Sequence, residues 1–187
     1  MPSIHLHLME GYSPDDKTRL MQAVTNAVRF VVPAQPDAIT VFLNEVPPDN
    51  YARGGTQRRP APALKDPAKI VMDFLQAMQD RDLEAAQSLL APSFSMTFPG
   101  TGDMKTLAEL IAWAKPRYRF VTKTYEGVEA FQQGDHAVVY TRGTLSGEWP
   151  DGAAFSGIRF IDRFEVADNL ITRQDVWNDI AEIKSST

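Results

Sequence analysis

The sequence has 187 residues, 43% of them hydrophobic and 23% charged, which excludes wholesale disorder. Its 19 basic and 24 acidic side chains give a net charge of −5, which argues against nucleic acid as the main partner; without cysteine there is no disulfide, thiolate metal site or cysteine nucleophile. No apolar run approaches the ~18 residues of a membrane span, and the amino end lacks the basic and apolar regions of a secretory signal, so a cytoplasmic protein acting on small molecules is expected.

Ile4, Leu6 and Leu8 alternate with His5, His7 and Met9, the pattern of a half-buried strand. After Gly11, Ser13-Pro14-Asp15-Asp16 supplies an N-cap, a first-turn proline and acids where the helix dipole favours them. Leu20, Met21, Val24, Ala27, Val28 and Val31 share one helical face, so the helix is expected from about Pro14 to Val32, before Pro33. Ile39, Val41 and Leu43 alternate again as a second strand, which completes a βαβ unit with parallel strands. One helix cannot cover both faces of a sheet. This segment, residues 1–55, is therefore expected to associate with copies of itself, as a homo-oligomer.

Residues 56–66 carry Arg58, Arg59 and Lys65 with Pro60 and Pro62 between alanines, and read as a semi-extended linker. Residues 67–187 form the second segment. Ile70, Val71, Phe74, Leu75 and Met78 predict a helix, Asp80-Arg81-Asp82 a break, and Leu83, Ala86, Leu89 and Leu90 a second helix. Thr106 caps a third, which ends at Pro116. Strands are predicted over Arg119–Val128, His136–Leu145, Gly157–Val166 and Ile171–Trp177, with turns at Gly134-Asp135, Pro150-Asp151-Gly152 and Asp168-Asn169. Helices followed by antiparallel strands predict an α+β fold, with the helices on the concave face of a bent sheet.

Pro2 follows the initiator methionine, and removal of Met1 would leave a secondary amine at the chain terminus. An α-amino group titrates near ~7.7–8.0, and burial lowers that value, which gives a neutral nitrogen base at physiological pH. Pro2-Ser3-Ile4-His5-Leu6-His7-Leu8-Met9-Glu10-Gly11, then Val41-Phe42-Leu43-Asn44-Glu45-Val46-Pro47, then Asn50-Tyr51-Ala52-Arg53-Gly54-Gly55, resembles the 4-oxalocrotonate tautomerase family. The resemblance implies Pro2 as catalytic base, no metal or cofactor, a small keto or enol acid as substrate, and oligomeric assembly. Tyr51 stands where that family walls its site with an aromatic residue. Tyr12 and Thr40 stand where it commonly carries substrate-holding arginines, a role to which Arg53 is the nearby alternative. Tyr12 offers a hydrogen bond but no cationic clamp, so a monoanionic or neutral substrate is expected. His5 and His7 read as sheet or interface residues.

Phe74-Leu75-Gln76-Ala77-Met78, Asp80-Arg81-Asp82-Leu83-Glu84, Phe98-Pro99-Gly100, and the run from Phe160-Ile161-Asp162-Arg163-Phe164 to Gln174-Asp175-Val176-Trp177 resemble the SnoaL-like branch of the nuclear transport factor 2-like superfamily. That resemblance implies an apolar cone for a small molecule, and Asp175 matches a catalytic aspartate of several SnoaL-like enzymes. Asp175 is expected either as a carboxyl with raised pKa among Trp177, Phe98 and Trp113, or as the partner of Arg142 or Arg173. Asp162 is expected to pair with Arg159 or Arg163, and Tyr140 is a candidate donor to an oxyanion. Three functions stay open: a tautomerase using Pro2, a lyase, cyclase or isomerase with chemistry around Asp175 and an assembling amino-terminal unit, or a ligand-binding protein.

Overall fold

A computed structural model describes residues 1–184. The chain divides after Ala63 into two compact units.

In the first unit, β1 (Ser3–Met9) and β2 (Thr40–Val46) pair in parallel, with Ile4 opposite Val41 and Leu6 opposite Leu43. Between them runs α1 (Pro14–Val31), whose N-cap Ser13 accepts a hydrogen bond from the Asp16 N–H at 3.2 Å. A hairpin follows, β3 (Ala52–Arg53) with β4 (Thr56–Gln57). Its two-residue turn is Gly54-Gly55, with φ of 59° and 74°, values at which glycine is the least strained residue. The hairpin extends the first unit into the stretch read as linker. Not one residue of this unit is buried. On the sheet surface that Ile4, Leu6 and Leu8 leave behind, His5 stacks on Phe42, with ring centroids 4.8 Å apart and Phe42 48% exposed.

In the second unit, α2 (Pro67–Gln79) and α3 (Leu83–Ser88) are N-capped by Asp66 and Asp82, and α4 (Leu107–Ala114) starts in a capping box made by Thr106 and Glu109. Backbone hydrogen bonds from Lys105 and Thr106 hold the Glu109 carboxyl below its usual pKa range. The sheet combines β5 (Leu90–Thr97), β6 (Phe120–Gln133), β7 (His136–Glu148), β8 (Ala154–Ala167) and β9 (Leu170–Asn178) in the order β5-β9-β8-β7-β6. β5 runs parallel to β9 and the other pairs are antiparallel. Leu90 opens β5 rather than closing a helix, because Leu89 already caps α3. Ile70, Val71 and Phe74 of α2 pack with Val139, Phe164 and Ile171 of the sheet, and the Phe74 and Phe164 rings meet edge to face at 6.1 Å. The α5 turn (Ile180–Lys184) begins where Asn178 accepts from the Ile180 N–H.

Long strands need local breaks to curl around helices. Register shifts occur between Tyr125 and Gly127 on β6 and between Leu145 and Gly147 on β7. At Gly147 a Cβ would stand 2.2 Å from the Phe120 carbonyl oxygen, so only glycine lets the two backbones approach this closely. This is the mixed α+β architecture expected from the sequence, a small βαβ unit followed by helices on a curved sheet.

Candidate functional site

The first unit places its predicted site residues in two groups. Pro2 immediately precedes β1, and its carbonyl accepts from the Thr40 N–H at 3.1 Å, so Pro2 and Thr40 share the amino ends of the parallel strands. Tyr12 follows the exit of β1, while Tyr51 and Arg53 follow the exit of β2. Seven residues of strand separate the two ends, about 20 Å at ~3.3 Å per residue. The parallel strands thus begin at Pro2 and Thr40 and exit toward Tyr12, Tyr51 and Arg53 at the other end.

In the second unit a cavity of about 1020 Å³ opens between the helices and β6. Phe74, Leu75 and Met78 of α2, Leu110 of α4 and Phe98 give it apolar walls. Its polar groups come from two strands of the curled sheet, β9 and β6, with β8 and β7 between them. Gln174 lies on β9, while Lys123 and Tyr125 lie on β6. The Lys123 ammonium donates to Asp162 of β8, a carboxylate with no solvent exposure, and lies 4.5 Å from the centre of the Phe160 ring. Burial pushes the Asp162 pKa up, and the Lys123 charge pulls against it. Burial first, and the Asp162 charge second, raise the Tyr125 phenol far above its ordinary value, which keeps the hydroxyl protonated as a donor. Among the described residues, Asp162 Oδ1, Thr141 Oγ1 and Gln174 Oε1 are buried without a hydrogen-bond partner. Thr141 and Asp162 are direct cross-strand neighbours.

The expected pairing of Asp162 with Arg159 or Arg163 is not observed. Residues 158, 160, 162, 164 and 166 alternate into the interior, so both arginines project from the other face of β8. Arg159 pairs with Asp179, and Arg163 with Glu165 at 2.7 Å.

Asp175 lines a cleft of about 340 Å³ with Phe98 and Trp177, two of the three aromatic residues expected beside it, while Trp113 is not among the lining residues. The register shift across β8 and β9 leaves Thr172 unmatched and reverses the alternation beyond it. Ile171 consequently points inward with Gln174 and Val176, whereas Arg173, Asp175 and Trp177 lie on the opposite face. There Asp175 is held by Arg173 at 2.8 Å and by Arg163 at 3.5 Å, and Trp177 is 51% exposed. Both settings expected for Asp175 are present in part: Phe98 and Trp177 line its cleft, and Arg173 is its partner. Tyr140 occupies the same outer face, stacked on Phe131 at 6.3 Å. Phe98 lines the cavity, and Trp113 packs against it at 5.2 Å with Arg117 over its indole.

Sequence reasoning did not single out Lys123, Tyr125 or Gln174 as site residues. The available signal was parity. Asp162 alternates with Phe160 and Phe164, and a carboxylate on an otherwise apolar strand face demands a cationic partner from inside the fold.

Comparison with known proteins now decides the family. The tautomerase enzyme family model matches residues 2–58, and the SnoaL-like domain model matches residues 71–174. The chain belongs to both families. Its tautomerase portion is 36% identical over 59 residues to a probable tautomerase of Streptococcus mutans, covering 32% of this chain and 97% of that protein. It is 34% identical over 55 residues to the 2-hydroxymuconate tautomerase of Bacillus subtilis, covering 29% of this chain and 89% of the relative. An NTF2-like protein of Burkholderia thailandensis superposes with a TM-score of 0.53 at 21% identity, over 66% of this chain and 98% of that one. The SnoaL-like portion thus shares its fold with NTF2-like proteins. Among the described residues no helix is long and apolar enough to cross a membrane.

Proposed function

We propose that the tautomerase portion is a cofactor-independent tautomerase of a small keto or enol acid, with the amino-terminal Pro2 as its base after Met1 is removed. In ketonisation the neutral proline nitrogen takes the enol hydroxyl proton, the double bond shifts, and the same nitrogen returns a proton to carbon. Tyr51 walls the substrate, Arg53 meets its carboxylate, and Tyr12 and Thr40 supply hydrogen bonds. The separation of Pro2 and Thr40 from Tyr12, Tyr51 and Arg53 carries the second half of the reading: the site is completed by neighbouring copies in a homo-oligomer. The absence of any buried residue in the first unit supports such assembly.

The test combines intact-mass measurement with ketonisation of phenylenolpyruvate by wild type, Pro2→Ala and Asp175→Asn. A mass lacking one methionine, with turnover lost only in Pro2→Ala, is expected. Retained Met1, or turnover undiminished in Pro2→Ala, overturns the assignment. The alternative of chemistry around Asp175 predicts loss in Asp175→Asn instead. Its carboxylate is already engaged by two arginines, so no proton-transfer role is proposed for it.

A further inference from the structure

The cavity of the second unit carries an electrostatic signature at odds with the chain that contains it. The protein bears a net charge of −5, yet Arg81, Lys115, Arg119 and Lys123 line this cavity and no acid is among its described lining residues. Arg81 and Lys115 are exposed and form a basic rim beside Arg119, whose charge is taken up by Glu148, whereas Lys123 is 21% exposed and reaches inward. A lysine ammonium has three donors, and Asp162 takes one, which leaves two for a ligand. The protonated Tyr125 hydroxyl, on the same face of β6, adds another donor. Gln174, only 3% exposed, lines the cavity with an amide oxygen that has no partner among the described residues. A buried acceptor of this kind calls for a ligand hydroxyl or a bound water.

We propose that this cavity binds an amphipathic hydroxy acid, with its anionic group on Lys123, a hydroxyl remote from that group donating to Gln174, and its ring system among Phe74, Leu75, Met78 and Leu110. Apolar walls with a few converging polar groups suit a ring-bearing molecule of this kind, and the basic rim draws in anions. Asp162 acts here as a positioning residue: it holds the ammonium in place and does not itself contact the anion. This site lies wholly within the second unit and does not depend on the Pro2 reading.

The probe is 6-hydroxy-2-naphthoate, whose hydroxyl cannot reach its own carboxylate, followed by its own fluorescence on the full chain, beside its uncharged methyl ester and beside 2-naphthoate, which lacks the hydroxyl. The hydroxy acid is expected to bind about ten-fold or more tighter than the ester, the usual scale for a charge-assisted hydrogen bond. The pair-deleting Lys123→Met/Asp162→Asn variant, checked for folding by circular dichroism, is expected to lose that preference while still binding the ester. Lys123→Arg, which keeps the charge should the double variant fail to fold, is expected to retain it. Gln174→Met is expected to erase the advantage over 2-naphthoate and leave the acid-over-ester preference intact. Equal affinity for acid and ester, a preference that survives in the double variant, a preference lost in Lys123→Arg, an advantage over 2-naphthoate that survives in Gln174→Met, or no binding of the naphthoate would each overturn the proposal.

Discussion

Lys123 and Asp162 join β6 to β8 across the intervening β7, with the Asp162 carboxylate wholly buried beneath the partly exposed lysine. Breaking such a pair by removing one partner strands a buried charge and costs about 3–5 kcal/mol. Lys123→Met is therefore expected to lower the urea midpoint strongly. Asp162 has a raised folded pKa, so the folded state holds its proton more tightly than the unfolded chain does. Its contribution is fullest below the unfolded value near ~3.9 and is lost as pH rises through the folded value. Without Lys123 the folded value rises further, so the deficit of Lys123→Met should widen from a pH near the unfolded value of ~3.9 up to neutral pH. Addition of Asp162→Asn should remove that widening, as read by denaturant titration at both pH values.

The curl of the sheet rests on backbone contacts as well as side chains. Gly147→Ala would drive a methyl into the Phe120 carbonyl and the Phe155 ring. A loss of about 1–3 kcal/mol or more is expected in chemical denaturation, the scale of overpacking in a core.

Asp175 is paired with Arg163 and Arg173 on the outer sheet face. Asp175→Asn is expected to cost about 1–2 kcal/mol through weakened bonds to Arg163 and Arg173, and to leave phenylenolpyruvate turnover unchanged. Thermal melting and the ketonisation assay check the two halves separately.

Phe42 is an apolar ring on an uncovered sheet face, stacked on His5. Phe42→Asp places a charge where a neighbouring copy would sit. Sedimentation velocity is expected to show an oligomer for wild type and a smaller species for the variant, with loss of Pro2-dependent turnover.

Under the proposed mechanism, Pro2 acts as a base only when its nitrogen is neutral. The kcat/KM for ketonisation is expected to rise with pH through a midpoint at or below about 8 and then level off, since burial disfavours the protonated amine. A profile flat across that range would remove Pro2 from the proton transfer.

Much of the first unit was legible. Strict alternation over Ile4–Met9 and Ile39–Asn44 marked the two strands, and Ser13-Pro14 marked the start of α1 to the residue. The hairpin was missed although Gly54-Gly55 announced it, because strands of two residues carry no periodicity. β5 was missed because Leu90 sits at helical spacing from Leu83 and Ala86, and Ala91-Pro92-Ser93 do not alternate. In the second unit the long strands were legible, but the site was not. A single unmatched residue, Thr172, reversed the face on which Asp175 stands, and nothing in a one-dimensional pattern marks such a bulge. Lys123 escaped notice because its partner lies 39 positions away.

The distance between Pro2 and Tyr51 has a genetic corollary. With Pro2 as the proposed base at one end of the strand pair and Tyr51 and Arg53 at the other, a protomer can be crippled in two independent ways. Copies damaged at Pro2 and copies damaged at Arg53, each inert alone, should regain a fraction of wild-type turnover when unfolded and refolded together, by intersubunit complementation.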